Sequence, residues 1–524
     1  MSNFTVQKLV LGLITFGAFV AAPWLTNESL GGNPLPLAFL FGIGFLLLFV
    51  FVLRDNCWIA VPLCLPMTGS LNILPIKFSP SELSILLVIG YVVLQMFMTE
   101  RRAITFGPAQ ICVPGLLFAG VLLYHWGKGG GLGLSMFGGE ASGGRRFFTI
   151  LSGMLVLPAL LWFPLEKSPW LSRVPLLYLI GSILEFTPFA ISSAVPAMAP
   201  YIYRIYSSIN MEAYAGAQAF RDDSMVRVGQ VASFALAIQL ALFCYFPPRD
   251  LLRPKRWFVV PLSILSLGAT VWSGFRSALF NYVVFSFVAL FLRSRLLLLF
   301  TIPLIAGLIA LFVVGQGSLF NLPLTIQRTL SPFPGKWDRA AMNSAESSND
   351  FRTNIQKVYK TDFMEKAGWL GEGYKFDVKY MAARFADIGT LRMEASGEAQ
   401  SKSFIIARDH HVGWVALHHV TGWVGFGAFV LLCLGSLFYV WRHVLQPHLS
   451  DIPPEQVWAT ALITQAVISF FAVFGSIQNF IPSFCVFMAI AIQSFRAHRP
   501  AVTPIGGIPS SQTPQHSQLN LRSW

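Results

Sequence analysis

The sequence contains little charge for its length. Only 12% of the 524 residues are charged, which is roughly half of the share found in soluble domains. A chain with so few charged side chains cannot cover itself with polar surface in water, so lipid must be the solvent for most of it. The 47 phenylalanines agree with this conclusion. The composition therefore excludes an ordinary soluble enzyme and predicts a membrane protein.

Cysteines are also few, and none is placed to hold a metal. All of them lie in or beside apolar segments, none falls in the longest polar segment, and no two stand at metal-ligand spacing. They are Cys57, Cys64, Cys112, Cys244, Cys433 and Cys485. We interpret them as small buried apolar side chains rather than a disulfide framework or a zinc site, and we expect no metal and no cofactor.

Signatures of nucleotide and nucleic-acid binding are missing too. The stretch 127–131, GKGGG, lacks the GxxxxGK(S/T) spacing of a phosphate-binding loop and is interpreted as a flexible loop. The net charge of +13 comes without a nucleic-acid-binding motif, so basic loops that face anionic lipid explain it better. No internal repeat is visible, which weakens a transporter interpretation.

Apolar runs long enough to cross the ~30 Å hydrocarbon core recur along the chain. They predict an all-α polytopic membrane protein, a helical bundle of about 12–14 transmembrane helices. The runs lie near residues 8–25, 35–53, 57–74, 82–98, 109–126, 147–164, 174–192, 228–246, 258–272, 277–292, 296–314, 412–440, 457–475 and 480–495. The run at 57–74 is the weakest, because Pro62, Pro66 and Gly69 interrupt it.

The basic residues of the short loops predict the orientation of these helices. When every run is counted as a span, the basic loops fall on one side, which we assign to the cytoplasm together with both termini. Their residues are Arg54, Arg101, Arg102, Lys167, Arg173, Arg249, Arg253, Lys255, Arg256, Arg293, Arg295, Arg442, Arg496 and Arg499.

The spans divide the chain into four parts. Residues 1–314 form an N-terminal transmembrane bundle and residues 412–495 form the C-terminal transmembrane helices. Between them, residues 315–411 form one large extracytoplasmic loop domain, whose aromatic and apolar content is too high for disorder. The tail, residues 496–524, is rich in Pro, Ser and Gln and is predicted to be disordered.

Several arginines fall on the outer side, against the positive-inside bias. Arg276 lies in a tight turn between two spans, and Arg227 and Arg221 lie near the start of another. Two interpretations are open: the side chains extend to lipid headgroups, or their planar guanidinium groups bind a phosphate. The first is favoured for Arg221, which precedes Asp222 and Asp223.

Histidines cluster where the large loop returns to the membrane. His410 and His411 precede the span, and His418 and His419 follow about two helical turns later. A metal site is disfavoured, because no HExxH motif and no acidic residue on the same helix face accompany them. His411 is a better candidate for a general base, since imidazole titrates near neutral pH. For His418 and His419 we favour hydrogen bonds to loop carbonyl groups.

Together these residues resemble the motifs of one family. His411, followed after Val412 and nine further residues by Gly422 and Gly425, is similar to the signature of O-antigen ligases, in which a His opens a transmembrane helix directly after the large periplasmic loop. Two residues differ from that pattern: Val412 replaces the usual polar residue after the His, and Val420 replaces an acidic one.

The other parts of the resemblance are short. Residues 272–276 resemble the SGxR turn of the family, and Arg227 resembles its periplasmic Arg before a span. Arg352 with Gly371 and Gly373 resembles the R…GxG trace of its large loop. The chain thus resembles the O-antigen ligase/polymerase superfamily in topology over most of its length and in sequence only at these motifs.

The resemblance implies a metal-independent glycosyltransferase at the outer face of the bacterial inner membrane. Its donor would be a polyprenyl-diphosphate-linked glycan, and its acceptor a sugar or the lipid A core. The resemblance assigns diphosphate binding to Arg276 and Arg227 and general-base catalysis to His411. It also makes candidate substrate-binding residues of Arg221, Arg352 and His410. Membrane lipids are the remaining expected partners, and no nucleic acid is expected.

Ligase and polymerase differ only in the acceptor, and the missing polar neighbour of His411 favours a polymerase-like enzyme for O-antigen or exopolysaccharide. The alternative is a polysaccharide transporter or flippase without transferase chemistry. Its only sequence feature of that kind is Glu185 with Pro188 inside an apolar run. A membrane scaffold without chemistry is disfavoured by the outward arginines and the histidine at the membrane edge.

Overall fold

The computed structural model describes residues 53–72, 78–98, 105–128, 143–208, 227–246, 256–374, 397–408, 410–445 and 452–498. The predicted spans at 8–25 and 35–53 (all but residue 53), the predicted tail beyond residue 498, and Arg221 lie outside the described residues. Within them the protein is helical, apart from two strands of two residues each, β1 (Ser70–Leu71) and β2 (Tyr206–Ser207), which pair antiparallel.

The described helices fall into two groups along the chain. The apolar helices before the polar segment are α1 (Ala60–Cys64), α2 (Pro80–Met98), α3 (Ala109–Lys128), α4 (Gly143–Trp162), α5 (Val174–Ala194), α6 (Ala199–Ile205), α7 (Gly229–Tyr245), α8 (Val259–Trp272), α9 (Arg276–Arg293) and α10 (Arg295–Gly315). The helices from the polar segment onward are α11 (Leu324–Leu330), α12 (Arg339–Asp362), α13 (Met364–Ala367), α14 (Gly397–Ile406), α15 (Gly413–Val444), α16 (Pro454–Ala472) and α17 (Ile477–Ala497).

Seven helices in the described part of the chain are long and apolar enough to cross a membrane, namely α2, α3, α4, α5, α9, α15 and α17. The helices α7 and α8 are apolar but shorter. The predicted all-α membrane class is therefore confirmed. The total number of spans and the side that each loop faces stay predictions.

The predicted span at 57–74 is wrong. The chain there forms a 3-10 helix, Arg54–Ile59, then the single turn and a half of α1, and then β1. Proline cannot donate in a helix, and Gly69 packs so closely on Tyr206 that its backbone N–H donates to the phenol oxygen at 2.8 Å. Any Cβ at residue 69 would overlap that ring, so the chain turns at this point.

The centre of the bundle is α17. It packs along α4 and α16, while α15 packs along α3 and α7 packs along α5 and α8. In the apolar window of α17, 83% of the residues are buried, against 28–56% in the other six candidate spans. Polar side chains of α17, such as Gln493 and Ser494, are buried there as well, which fits a position lined by protein rather than by lipid, and the outer helices bury a smaller share of their residues.

Glycine sets the distance between α4 and α17. A Cβ built on Gly153 would lie 2.6 Å from Cγ and 2.8 Å from Cα of Pro482, so only the glycine fits against the proline ring. Small residues at helix contacts let backbones approach closely, which is the main source of packing energy between helices in lipid.

The polar segment is folded where it is described. Its longest helix, α12, packs against α14 and contacts α11 and α13. A small apolar cluster joins these helices to the beginning of α15, and its buried members are Ile355, Val358, Tyr359, Ile405, Val412 and Val415. This cluster fixes α12 over the end of α15 at which the histidines lie.

We expect Gly153→Ala to destabilise the protein by about 1–3 kcal/mol, because a methyl group there overlaps a rigid proline ring. Gly90→Ala is the matched control, since nothing lies within 4 Å of a Cβ at Gly90 in α2. There, helix propensity should add up to about 1 kcal/mol of stability. Thermal unfolding of both purified variants in detergent measures the difference, and equal melting temperatures would contradict the close helix contact.

Candidate functional site

The site is built around a break inside α15. Gly422 has φ +62° and ψ −168°, which no helix contains. This backbone region is open to glycine almost alone. A break in the middle of a helix releases backbone groups from their i to i−4 hydrogen bonds, and in a membrane protein these groups must find other partners.

Residues 368–373, here called the strap, provide those partners. On one side of the break, the carbonyl oxygens of His419 and Val420 no longer receive helical hydrogen bonds. They accept instead from the backbone N–H groups of Glu372, at 2.8 Å, and Gly373, at 3.0 Å.

On the other side of the break lie the N–H groups of Trp423 and Val424. In an unbroken helix they would donate to the carbonyl oxygens of His419 and Val420. They donate instead to the carbonyl oxygens of Gly368, at 3.3 Å, and Trp369, at 3.0 Å. The strap therefore replaces two helical hydrogen bonds with four bonds of its own. Because each buried unsatisfied group costs about 1–3 kcal/mol, the strap and the break stabilise each other.

Two glycines face each other at this crossing. A Cβ on Gly371 would lie 2.5 Å from the nitrogen of Gly422, and a Cβ on Gly422 would lie 2.4 Å from the nitrogen of Gly371. Both have positive φ. The strap is held further by His125 of α3, whose Nε2 lies 2.6 Å from the carbonyl oxygen of Leu370.

The strap also brings a carboxylate to the histidines. Nη2 of Arg408 donates to Oε2 of Glu372 at 2.7 Å, and Nε2 of His419 lies 3.3 Å from the same oxygen. The other ring nitrogen of His419, Nδ1, lies 2.7 Å from Nε2 of His410. Arg408 also contacts the ring of His419. This chain of Arg408, Glu372, His419 and His410 is called the histidine network below.

The charges of the histidine network are fixed. Hydrogen bonds from His419 and Arg408 and the positive charge of Arg408 lower the pKa of Glu372 to about 2, against the opposing effect of burial. Burial and the neighbouring cations Arg408 and Arg146 hold the pKa of His410 well below its ordinary value. At neutral pH the network thus contains an ionised carboxylate, a guanidinium and a neutral His410.

His418 and His411 have different surroundings. Nδ1 of His418 lies 2.5 Å from the hydroxyl of Tyr359 in α12. The centroid of the His411 ring lies 6.0 Å from that of Phe351 and 5.2 Å from that of Phe474, and the ring also contacts Phe404. Its backbone has φ +52°, an uncommon conformation for a residue other than glycine.

A second group of charges, here called the arginine cluster, consists of Arg227, Arg276, Arg328 and Arg352. Arg227 precedes α7, Arg276 opens α9, Arg328 lies in α11 and Arg352 lies in α12. In the described part of the chain, no carboxylate forms an ion pair with any of them.

Arg328 organises the turn that carries Arg276. Its Nη1 donates to the carbonyl oxygen of Gly274 at 2.6 Å, and its Nε donates to Oγ of Ser344 at 2.9 Å. Gly274 has φ +76°, which glycine adopts without strain. Arg276 in turn donates to the carbonyl oxygen of Ala345 at 2.9 Å and to Oδ1 of Asn349 at 3.1 Å. The turn is therefore tied to α12 from two directions.

Mutual repulsion is visible in the arginine cluster. Burial together with the charges of Arg227, Arg276 and Arg352 lowers the pKa of Arg328 to about 10. Burial lowers the pKa of Arg352, and both desolvation and Arg352 lower that of Arg227. A group of cations without a carboxylate ion pair among the described residues can accept an anionic ligand.

The helix α12 connects both groups. Arg352 and Tyr359 are seven residues apart, so they lie on the same face, about 10 Å apart along the axis. Tyr359 belongs to the wall of the histidine network, since its ring lies 5.3 Å from that of His419.

The structure thus brings together three residues predicted for the site, Arg227, Arg276 and Arg352, and places His410 in the neighbouring histidine network. His411 lies beside that network, where its ring contacts three phenylalanine rings. His418 and His419 bond side chains instead of the loop carbonyl groups that the sequence favoured.

Sequence reasoning missed four side chains of these two groups, Arg328, Glu372, Arg408 and Tyr359. Glu372 carried a signal, because it stands between the two glycines of the GxG trace. In the described residues, no three His, Cys, Asp or Glu side chains are arranged for a metal ion.

Comparisons with protein-family models and with curated proteins give no match. The resemblance to the O-antigen ligase/polymerase superfamily therefore rests on the motifs quoted above and stays a prediction.

We expect Gly371→Ala and Gly422→Ala each to destabilise the protein by about 1–2 kcal/mol through the left-handed backbone alone, and further through overlap of the new methyl group with the opposite chain. Gly427→Ala is the matched control in the same helix, since nothing lies within 4 Å of its Cβ. Melting temperatures in detergent report the effect, and the crossing is refuted by wild-type stability of both variants.

The low pKa of Glu372 makes part of the stability pH-dependent. A carboxyl whose pKa falls on folding, here from 4.5 to about 2, stabilises the fold above its unfolded pKa and loses that contribution as pH falls through the folded value. The melting temperature of Glu372→Gln should thus lie below wild type at pH 7, and the gap should narrow below about pH 4.5.

Thermal melts of both proteins between pH 3 and pH 7 provide the measurement. Glu365→Gln, at an exposed position of α13, is the control and should follow wild type throughout. A gap that is the same at all pH values would show that Glu372 acts by packing rather than by charge.

Proposed function

We propose that this protein transfers or polymerises a polyprenyl-diphosphate-linked glycan onto a sugar acceptor at the outer face of the bacterial inner membrane. The observation that carries the proposal is the arginine cluster, in which four guanidinium groups converge without a carboxylate partner among the described residues. A ligand with several negative charges on adjacent oxygens fits this arrangement, and a diphosphate is such a ligand.

The chemistry follows from where charge develops. As the bond between the sugar C1 and the diphosphate oxygen breaks, negative charge grows on the phosphate oxygens. Guanidinium groups held in place by Gly274, Ser344 and Asn349 stabilise that charge without reorganising. The donor carries its own activation, so the reaction needs no nucleotide. The acceptor hydroxyl must lose a proton, for which neutral imidazoles lie nearby.

The spacing along α12 supports this division of roles. Arginine to phosphate, C1 to attacking oxygen, and oxygen to base are contacts of roughly 3 Å each. Placed in line, they span about the 10 Å that separates Arg352 from Tyr359 along the helix. This rise along α12 is of the same size as one donor and acceptor placed end to end, which supports a single substrate contacted by both groups.

The proposal also includes the identity of the product, carrier and acceptor, and the side of the membrane on which the termini lie. They are the O-antigen or exopolysaccharide product, the undecaprenyl carrier, the lipid A core or glycan acceptor, and cytoplasmic termini. Val412 is buried in the apolar cluster beside α12, which supports a site without the polar neighbour found in ligases, and hence the polymerase-like reaction.

Transport without transferase chemistry is the second candidate, and one observation favours it. Glu185 lies inside the candidate span α5, is only 5% exposed, and accepts a hydrogen bond from Tyr206. Buried carboxylates inside membrane spans often belong to ion or proton pathways. No hydrogen bond or ion pair among the described residues joins Glu185 to the arginine cluster, so variants at the two places distinguish the candidates.

In a deletion strain, we expect long glycan chains to disappear and short lipid-linked units to accumulate. Complementation with Arg276→Gln or Arg352→Gln should fail. Each lost charge-assisted hydrogen bond costs about 1.5–3 kcal/mol, so the affinity of the purified protein for an isoprenyl diphosphate should fall by roughly 10–150-fold.

Arg339→Gln is the charge-matched control, because Arg339 is the exposed first residue of α12 and has no part in the arginine cluster. It should complement fully. An unchanged glycan profile in the deletion strain, or full complementation by both cluster variants, would refute transfer at this site. In that case Glu185→Gln in a flipping assay with lipid-linked glycan becomes the decisive experiment.

A further inference from the structure

The histidine network holds a side chain whose position suggests more than a structural role. His410 is only 1% exposed, and its Nδ1 has no hydrogen-bond partner among the described residues. Buried polar atoms nearly always have a partner, so an orphaned ring nitrogen in the histidine network needs an explanation.

We propose that His410, and not His411, accepts the proton of the acceptor hydroxyl, and that Glu372 fixes its tautomer through His419. This inference rests on the proposed glycan transfer and adds the base and two positioning residues to it.

The tautomers follow from the carboxylate. Nη1 of Arg408 lies close to both ring nitrogens of His419 at once, so it cannot lie along the lone pair of either one, and the in-plane partners set the tautomer. Glu372 is ionised and can only accept, so the hydrogen of His419 resides on Nε2, which faces Oε2 of Glu372 at 3.3 Å. Nδ1 of His419 is then an acceptor, and it receives the Nε2–H of His410 at 2.7 Å. His410 is left with its lone pair on Nδ1, the atom that has no partner.

The backbone around His410 is strained on both sides. Arg408 has φ +61° and His411 has φ +52°, and in the described part of the chain only one other residue that is not glycine, Arg54, has positive φ. Two such residues within four positions have a cost of order 1–3 kcal/mol each, and such strain concentrates at functional sites. Arg146 holds the segment in place by donating to the carbonyl oxygens of Ala407 and Arg408.

The groups that face His410 keep it neutral before the reaction. They are His419, Arg408, Arg146, His411 and, behind His419, Glu372. The two cations and burial disfavour an imidazolium, so the lone pair is present over the physiological pH range. After proton transfer, the carboxylate of Glu372 stabilises the new charge through His419, as the acidic residue of a catalytic triad does.

The step is balanced. The acceptor oxygen forms a bond to C1 of the donor sugar, and the C1–O bond to the diphosphate breaks with its electron pair on the diphosphate oxygen. The hydroxyl proton moves to Nδ1 of His410. The leaving diphosphate, bound at the arginine cluster, or water then takes that proton and restores the neutral imidazole.

The ring of the neighbouring His411 packs against Phe351, Phe404 and Phe474, between α12, α14 and the end of α16. The two neighbouring histidines therefore form a natural pair for comparison.

The experiment compares His410→Gln with His411→Gln in purified, detergent-solubilised protein, with lipid-linked glycan as donor. We expect His410→Gln to lower the transfer rate by on the order of 10²–10⁴-fold and to leave the affinity for an isoprenyl diphosphate unchanged. His411→Gln should keep transfer within a few-fold of wild type.

Glu372→Gln tests the positioning role. It should reduce the rate and move the acid limb of the pH–rate profile to lower pH, because the carboxylate that stabilises the imidazolium is gone. A residue with a purely structural role would lower the rate without moving the profile. Glu372→Asp should restore part of the rate.

Loss of transfer in His411→Gln with normal transfer in His410→Gln would overturn the inference and make His411 the base. If His410→Gln does not fold, an unshifted Glu372→Gln profile overturns it. Loss of transfer in Arg276→Gln with normal transfer in both histidine variants would leave the proposed function in place and refute only this inference. Full transfer in all the variants would instead remove the proposed function itself.

Discussion

The break in α15 at Gly422 is the constraint on which the rest of the site depends. An interrupted helix in a low-dielectric environment must satisfy its released N–H and C=O groups from elsewhere in the protein. Residues 368–373 do this with four backbone hydrogen bonds. As a result, the strap delivers Glu372 to His419, and the polar segment cannot separate from the membrane helices without exposing those groups. The position of residue 372 is thus fixed by backbone hydrogen bonds, and its carboxylate is oriented by Arg408 and His419.

In the arginine cluster, by contrast with the strap, the fold keeps an arrangement that costs stability. Its members repel one another, and the fold tolerates this because Arg328 bonds Gly274 and Ser344 while Arg276 bonds Ala345 and Asn349. Neutral oxygens orient the guanidinium groups but leave their charge uncompensated. Proteins retain such locally unfavourable arrangements mainly at functional sites, where stability is exchanged for ligand binding.

Much of the architecture follows from sequence periodicity and length. The apolar runs from residue 82 onward coincide with α2 to α5, α7 to α10 and α15 to α17, because a run long enough for the hydrocarbon core has no other way to satisfy its backbone. The exception is 57–74, where the prolines and the contact between Gly69 and Tyr206 decided the local structure. Arg276 and Arg227 could be singled out from loop charge, whereas Arg328 could not, since its role comes from a tertiary contact with a turn 54 residues away. The pairing of His419 with Glu372 likewise required the break in α15, which the sequence signals only as a glycine.

The two facing glycines of the strap and α15 have a consequence for the history of this chain. At most packed contacts a larger residue on one side can be accommodated by a smaller one on the other. Gly371 and Gly422 each occupy the space of the other's Cβ, and neither can become smaller, so no pair of compensating substitutions exists. A substitution at either position therefore cannot be compensated as long as the crossing is kept. A relative too distant to be found by overall similarity would still have to carry both glycines, one in a polar segment and one nine residues into a membrane helix.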